Sequence, residues 1–161
     1  MAGRDLSQVK KYQIIPILNC FPSKWNTPAA VNLLAGTYEV ESSGIYVQQL
    51  NDGPAHGCCE MELITLNDMM NRVLKLPSMA AVAAAINSLT AASPPVYTQL
   101  DTNDGLAFAY ARVKYITNPA PLPAADDALG LATYHKTWYN TSGGATVLTE
   151  SVKLFQQAIA A

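Results

Sequence analysis

The segment from residue 26 to residue 44 constrains the fold more than any other part of the chain. Thr27 followed by Pro28 predicts a helix start, because a threonine side chain can cap the first turn and proline fits where no N–H is needed. The apolar residues that follow share one helical face: Ala30, Val31, Leu34, Ala35 and Tyr38. Ser43 and Gly44 then supply the left-handed residue that often ends a helix. We therefore predict an α-helix over residues 28–42.

Glu41 lies at the C-terminal end of this face, three residues beyond Tyr38. Partial burial and the negative end of the helix dipole both favour a protonated carboxyl, which is the form that a general acid requires. The alternative is that Glu41 simply ends the helix on the surface, where most glutamates lie. We take Glu41 as the candidate catalytic residue.

The rest of the chain predicts a mainly α fold. Residues 45–50 are extended and residues 51–57 have turn chemistry, so a small hairpin or loop should follow the first helix. Residues 118–127 form a proline-rich strap. The helical patterns give about six helices in all, over residues 28–42, 64–75 with a cap near Thr65, 78–89, 105–117, 128–140 and 145–161. Of these, we expect 105–117 to be the most buried and 78–89 to be a core helix.

The length of 161 residues suits one domain. We predict a polar, loose N-terminal arm over residues 1–13 and a single domain over residues 14–161. Residues 14–21 are apolar, but Pro16 interrupts them, so we predict a docking segment more than a regular helix.

Charge and composition exclude several function classes. The net charge is -2 with few, scattered basic residues, so nucleic acid is not an expected partner. No apolar run approaches the roughly 20 residues of a membrane span, and we expect no secretory signal. The three cysteines should be reduced and mostly buried. His56 precedes Cys58 and Cys59, but without a second ligand pair we expect no metal and no other cofactor.

The order of motifs resembles the lysozyme-like transglycosylases, including phage-encoded lytic transglycosylases and goose-type lysozymes. Those enzymes carry a Glu-Ser pair followed by a GAxGLMQ segment, or GGPAxGFxQxE in phage relatives. Here Glu41-Ser42 is followed by GPAHGCCEME at residues 53–62. The family glutamine falls on Glu60. The similarity continues in AFAYARVKYITNPAPLP and ATYHKTWYNTSGGAT, and so covers about residues 31–155.

The resemblance implies a lysozyme-like helical domain that cleaves the MurNAc to GlcNAc bond of peptidoglycan. Glu41 would be the acid and base, and Ser42 would brace the loop. A hydrolytic outcome would instead need a second carboxylate, from Asp52 or Glu62. The residues implied in substrate binding are Ser42, Gln48, Gln49, Glu60, Glu62, Tyr139 and Asn140. Tyr139 would stack on sugar with Trp138, although a core position for these rings, and a helix end for Asn140, are equally compatible with the sequence.

The partners implied are peptidoglycan strands and neighbouring proteins of a phage virion or tail. Such an enzyme would be carried in the virion and delivered to the host periplasm, without a signal peptide of its own. A second interpretation is a structural virion or tail protein that keeps this fold and does not cut. The high alanine content, the low charge and the apolar segment 14–21 suit a protein that docks on neighbours.

Overall fold

A computed structural model describes residues 3–140 and 147–161, and these form a mainly α fold. Helix α1 spans Leu6–Val9, a π-helical turn spans Lys10–Ile14, and α2 spans Ile15–Leu18. The longer helices are α3 (Pro28–Ser42), α4 (Leu63–Asn71), α5 (Ala80–Leu89), α7 (Asp104–Ile116), α8 (Ala128–Trp138) and α9 (Leu148–Ala160), and α6 is the short Val96–Gln99. Turns of 3₁₀ helix cover Ser23–Trp25, Val73–Lys75 and Pro77–Met79. Two short strands, β1 (Ala55–His56) and β2 (Met61–Glu62), complete the chain.

Helix α3 has the predicted bounds. The Thr27 side chain accepts a hydrogen bond from the Ala30 N–H at 3.2 Å, as a cap requires. At the other end Ser43 adopts a left-handed backbone with φ 54°, and Gly44 follows with φ 63°. Both helix signals in the sequence are therefore confirmed.

The predicted loose arm over residues 1–13 is wrong from Leu6 onward. Residues 6–18 are continuously helical, and Val9, Ile14 and Leu18 are buried in the same core as the rest of the chain. The π-helical turn precedes Pro16, whose missing N–H cannot continue an ordinary ladder. This wider turn places Val9 and Ile14, five residues apart, in one core. The step of five residues from Val9 to Ile14 interrupts the 3–4 spacing of an ordinary α-helix.

The core lies where α3 packs against α9, α8 and α7. A β-carbon built on Gly36 in α3 would overlap the ring of Phe155 in α9, so this glycine permits the close approach of the two helices. Helix α7 is the central helix, as predicted, and nearly all of its residues after the first turn are buried. The strap over residues 118–127 is also confirmed as irregular, and Tyr134 donates a hydrogen bond to the Ala120 carbonyl at 3.0 Å.

Two other helix predictions need correction. Helix α4 begins at Leu63, so Thr65 lies inside its first turn and does not cap it. Helix α5 is peripheral, because only Val82 and Ile86 are buried along it. Its alanine-rich pattern has no distinct polar face, so it did not reveal which side meets solvent. The predicted start of the last helix, residues 145 and 146, lies outside the described residues.

A small hairpin follows α3, as predicted. Strands β1 and β2 pair antiparallel, with His56 opposite Met61. Residues 47–49 join the edge of β1: the Gln49 N–H donates to the Ala55 carbonyl at 3.0 Å, and the Gly57 N–H donates to the Val47 carbonyl at 2.8 Å. Asp101 anchors the hairpin, with His56 Nδ1 at 2.8 Å and the Gly57 N–H at 3.1 Å from its carboxylate.

Two further observations concern cysteines and membranes. Cys58 and Cys59 are buried, whereas Cys20 is exposed, which corrects the expectation for that residue. All three thiols are free. Among the described helices, none has the length and apolar character needed to cross a bilayer.

Candidate active site

Glu41 lies in the last turn of α3 and meets a histidine from α8. Its Oε1 is 3.0 Å from Nε2 of His135, and the two side chains are 12% and 1% exposed. Both of these atoms are enclosed, and neither has a partner with hydrogen-bond geometry among the described residues. Enclosed polar atoms of this kind are destabilising unless they share a proton with each other. The contact between Glu41 and His135 is therefore the central feature of the site.

Behind His135, a chain of short contacts leads back to α3. His135 Nδ1 lies 2.8 Å from the Tyr115 hydroxyl, which lies 2.7 Å from the hydroxyl of Thr37. Thr37 in turn donates to the Leu33 carbonyl at 2.8 Å. All of the side chains in this chain are buried. Helices α3, α7 and α8 are thus joined by one polar chain inside an apolar core.

The donors in this chain fix the side of His135 that carries a proton. A carbonyl can only accept, so the Leu33 carbonyl takes the single proton of Thr37. The Tyr115 hydroxyl must then donate its own proton to the oxygen of Thr37. The remaining contact, between Tyr115 and His135, therefore takes its proton from Nδ1 of His135. This is the one assignment that gives every short contact a proton. We therefore assign the Nδ1–H form to His135.

This assignment determines what Glu41 and His135 share. With Nδ1 protonated, a neutral His135 presents a lone pair from Nε2, which can accept only from a protonated Glu41. A charged His135 presents Nε2–H, which can donate to an ionised Glu41. These are the two arrangements in which Glu41 and His135 would share a proton, but the 3.0 Å contact between Oε1 and Nε2 does not have the geometry of a hydrogen bond. The Glu41 carboxyl group and the His135 imidazole thus form an enclosed close contact at the end of α3.

A second carboxyl group lies near this pair. Burial, with a smaller contribution from the negative charge of Glu41, raises the pKa of Glu60 from 4.5 to about 7. Glu60 occupies the turn between β1 and β2, where its N–H donates to the Gly57 carbonyl at 2.9 Å. Its backbone is left-handed with φ 44°, which is uncommon for a residue other than glycine. Below pH 7 Glu60 is predominantly protonated, and it can then both donate and accept hydrogen bonds.

Lys114 of α7 adds a cation on the same side. Its ammonium donates to the Tyr139 carbonyl at 2.8 Å and lies 3.8 Å from the centre of the Tyr139 ring. Burial lowers the pKa of Lys114, and the charges of Glu41 and Glu62 partly offset this effect. Glu62 itself is exposed. A positive field from Lys114 therefore reaches the carboxylates at the end of α3 and in β2.

Tyr139 lies beneath the site and not on its surface. The residue is 4% exposed, its hydroxyl donates to the Cys59 carbonyl at 2.7 Å, and its ring stacks on His135 at 5.5 Å. The burial of this ring places Tyr139 in the core, which is the alternative to sugar stacking that the sequence left open. Trp138 is 41% exposed, and its ring contacts Tyr134 at 6.5 Å.

The other predicted site residues occupy the ends of α3 and α8 and the hairpin. Ser42 is buried, its hydroxyl donates to the Tyr38 carbonyl at 3.0 Å, and its own carbonyl accepts from the N–H groups of Ile45 and Tyr46. Ser42 thus holds the start of the loop. The N–H of Asn140 donates to the His135 carbonyl at 3.1 Å, so this residue lies in the turn that follows the end of α8. The last part of the YNTSGGAT motif lies outside the described residues.

Gln48, Gln49 and Asp52 belong to the hairpin region. Gln48 is exposed, whereas the Gln49 side chain accepts from the Ala55 N–H at 3.4 Å and packs beside Gly53. Neither glutamine forms a hydrogen bond with Glu41 in the described part of the chain. Asp52 is exposed and has a left-handed backbone. The negative charge of Glu41 contributes to the raised pKa of Glu60.

Sequence reasoning missed four of the residues that form this site: Thr37, Lys114, Tyr115 and His135. All four lie on helices in positions that an amphipathic pattern assigns to the core, so the pattern concealed their polar groups. The available signal was a histidine within the aromatic cluster of α8, because a buried histidine requires polar partners.

Neither metal ligands nor relatives add to this site. The described residues contain no group of three histidine, cysteine or acidic side chains that could hold a metal ion. The comparisons with known protein families, curated proteins and solved structures found no significant match to this chain.

Proposed function

We propose that this protein is a peptidoglycan lytic transglycosylase with a lysozyme-like fold, carried by a phage virion and released into the host periplasm. The observation that carries the proposal is the enclosed 3.0 Å contact between Glu41 Oε1 and His135 Nε2 at the end of α3. The motif order around Glu41-Ser42 and the hairpin of residues 55–62 supports the choice of substrate. Peptidoglycan strands would be the substrate, and virion or tail proteins would be the other partners.

In the proposed reaction Glu41 acts first as an acid and then as a base. Its proton passes to the glycosidic oxygen as the bond between C1 of MurNAc and that oxygen breaks, and the bonding electrons leave with the oxygen. The 6-hydroxyl of the same MurNAc then attacks C1 and returns its proton to Glu41. The product is a 1,6-anhydro sugar, and no water is consumed. This route needs one essential carboxyl group.

His135 would act as a positioning residue in this reaction. It does not need to touch the sugar, because its Nε2 holds Oε1 of Glu41 and leaves the other carboxyl oxygen for the substrate. When Glu41 gives up its proton, a nearby imidazole can stabilise the carboxylate. The buried chain through Tyr115 and Thr37 keeps the imidazole in one orientation.

Glu60 fits the proposal in its protonated form. It occupies the position of the family glutamine, and a protonated carboxyl resembles a glutamine amide in having one donating and one accepting end. The raised pKa of about 7 keeps Glu60 mainly in this form below neutral pH. On this model Glu60 binds the substrate through hydrogen bonds and does not act as a second nucleophile.

The test is to incubate the wild-type protein and the Glu41→Gln variant with purified peptidoglycan. We expect 1,6-anhydro-muropeptides by mass spectrometry from the wild type, and a rate at least about 100-fold lower from the variant. Glu39→Gln is the matched control, because it removes a carboxylate from the same helix outside the contact with His135. Reducing-end products would indicate hydrolysis, and release of neither product by the wild type would reject the enzyme.

A structural virion or tail protein remains the second candidate. Large apolar side chains are exposed around the hairpin: Ile45, Tyr46, Val47, Leu50, Leu63 and Ile64. Such a group is typical of a surface that contacts another protein. A structural role predicts that Glu41→Gln assembles into virions like the wild type and that neither protein releases muropeptides.

A further inference from the structure

Arg112 of α7 is a buried cation without a carboxylate partner. The residue is 4% exposed, and its Nε donates to the Trp25 carbonyl at 3.0 Å. Among the described residues its guanidinium forms no other hydrogen bond and no ion pair. Burial lowers the pKa of Arg112 to about 10, with Tyr134 and Tyr115 acting in the opposite direction. A buried charge with one carbonyl partner has unused capacity to bind an anion.

A cavity of about 430 Å³ opens beside this guanidinium. It lies between the 3₁₀ turn Ser23–Trp25, the end of α7, the proline strap and α8. Its volume is within the range of small-ligand pockets. Neither Glu41 nor any other predicted substrate-binding residue lines it.

Two further donors line the same cavity. Asn118 Nδ2 is enclosed and has no hydrogen-bond partner among the described residues, while its Oδ1 accepts from the Ala120 N–H at 3.0 Å. Lys24 contributes an ammonium 4.2 Å from the centre of the Trp25 ring. No aspartate or glutamate lines the cavity. Three nitrogen donors, of which two are cationic, thus line one small space without a counter-charge.

We propose that this cavity is a binding site for a small oxyanion, either a carboxylate or a phosphate group, held by Arg112, Asn118 and Lys24. A guanidinium binds both kinds of anion through paired hydrogen bonds. The amide of Asn118 would gain the partner that it lacks. The aromatic and proline side chains of the walls would exclude water and strengthen the charge interaction.

Trp25 provides a direct readout of binding, because the chain has two tryptophans and only Trp25 lines this cavity. In a Trp138→Phe background, Trp25 fluorescence is titrated with inorganic phosphate and separately with acetate, using chloride to keep the ionic strength constant. We expect a saturable change with at least one anion. Saturation by phosphate alone, acetate alone or both identifies the chemical class.

Asn118→Asp is the decisive variant. It retains the oxygen that accepts from Ala120 but replaces the free donor with a negative charge, so we expect anion affinity to fall at least about tenfold. The matched control Asn87→Asp makes the same charge change on exposed α5 and should bind like the parent. Lys24→Gln, on the exposed rim, should weaken binding about two- to fivefold.

Either of two results overturns the proposal. The first is no saturable change in the parent protein with either anion. The second is equal affinity in the Asn118→Asp and Asn87→Asp proteins, which would place binding elsewhere. Circular dichroism of each folded variant shows whether a loss of binding is separate from a loss of structure. If Asn118→Asp does not fold, Arg112→Lys replaces it as the test variant. Lysine keeps the positive charge but lacks the paired N–H donors of a guanidinium, so we again expect anion affinity to fall about tenfold.

Discussion

Nε2 of His135 lies 3.0 Å from Oε1 of Glu41, and both atoms are enclosed. The chain of contacts from His135 through Tyr115 and Thr37 ends at the Leu33 carbonyl, a group that can only accept. That one backbone acceptor fixes the direction of every hydrogen bond before it, so Nδ1 of His135 must donate and Nε2 faces Glu41. The backbone of α3 thus selects the tautomer of a side chain on α8.

The tautomer of His135 is the first prediction. We expect the neutral imidazole of His135 to carry its proton on Nδ1. Long-range ¹H–¹⁵N NMR spectra of the imidazoles distinguish the two tautomers. The chain has two histidines, so spectra of a His56→Gln variant assign the remaining signals to His135. A neutral His135 with its proton on Nε2 would contradict the assignment.

The second prediction concerns the stability of the buried chain. Tyr115→Phe removes a hydroxyl that contacts both Thr37 and His135, and we expect the free energy of unfolding to fall by about 1–3 kcal/mol, because buried partners are left unsatisfied. Thr37→Val should have a similar effect. Urea denaturation of both single variants and the double variant measures their coupling, which we expect to be about 0.5–3 kcal/mol.

If the losses of unfolding free energy in the two single variants simply add in the double variant, Thr37 and Tyr115 do not act as one chain. Tyr134→Phe is the control for loss of a hydroxyl from the same aromatic cluster. Its hydroxyl donates to the Ala120 carbonyl and has no contact with the chain that leads to Glu41. It should show no coupling with Thr37→Val.

The third prediction is a pH dependence carried by Glu60. The folded protein holds this proton up to about pH 7, whereas the unfolded chain releases it near 4.5. Raising the pH through this window therefore favours the unfolded state, and the contribution of Glu60 to stability falls. After allowing for solvent screening, we expect the free energy of unfolding to decrease by roughly 1–3 kcal/mol across this pH window.

Glu60→Gln should abolish this part of the pH dependence. Its free energy of unfolding should exceed that of the wild type increasingly between pH 5 and pH 8. Exposed Glu62→Gln is the control and should follow the wild type. If the enzyme is active, Glu60→Gln should also retain its activity further above pH 7. Parallel stability curves for wild type and Glu60→Gln would refute the raised pKa.

The fourth prediction tests the contact between α3 and α9. A methyl group added by Gly36→Ala would overlap the Phe155 ring, and we expect a destabilisation of about 1–3 kcal/mol by thermal or urea unfolding. Phe155→Leu in the same protein should recover part of this loss, because it removes the ring that is displaced. Gly105→Ala is the control, since its added methyl would lie 3.1 Å from the flexible end of Ile17 and 3.4 Å from Oδ1 of Asn103, without overlapping a ring. Equal losses in both alanine variants would contradict the close approach.

Local signals in the sequence determined the parts of the fold that depend on neighbouring residues. Thr27 and Pro28 began α3 and Ser43 ended it, because caps act within one turn of the chain. The dense apolar pattern of α7 was sufficient to identify the central helix. The sequence also placed Glu41 at the end of an apolar face, which was enough to select it as a candidate acid.

Only the tertiary structure decided which groups meet Glu41. His135 and Tyr115 lie on other helices in core positions, and no spacing in the sequence indicates that they face α3. The N-terminal helix escaped detection because its π-helical turn shifts the apolar register by one residue. Helical caps and periodicity are properties of a few consecutive residues. The contact between Glu41 and His135 depends on three helices packing at fixed distances, which only the folded core provides.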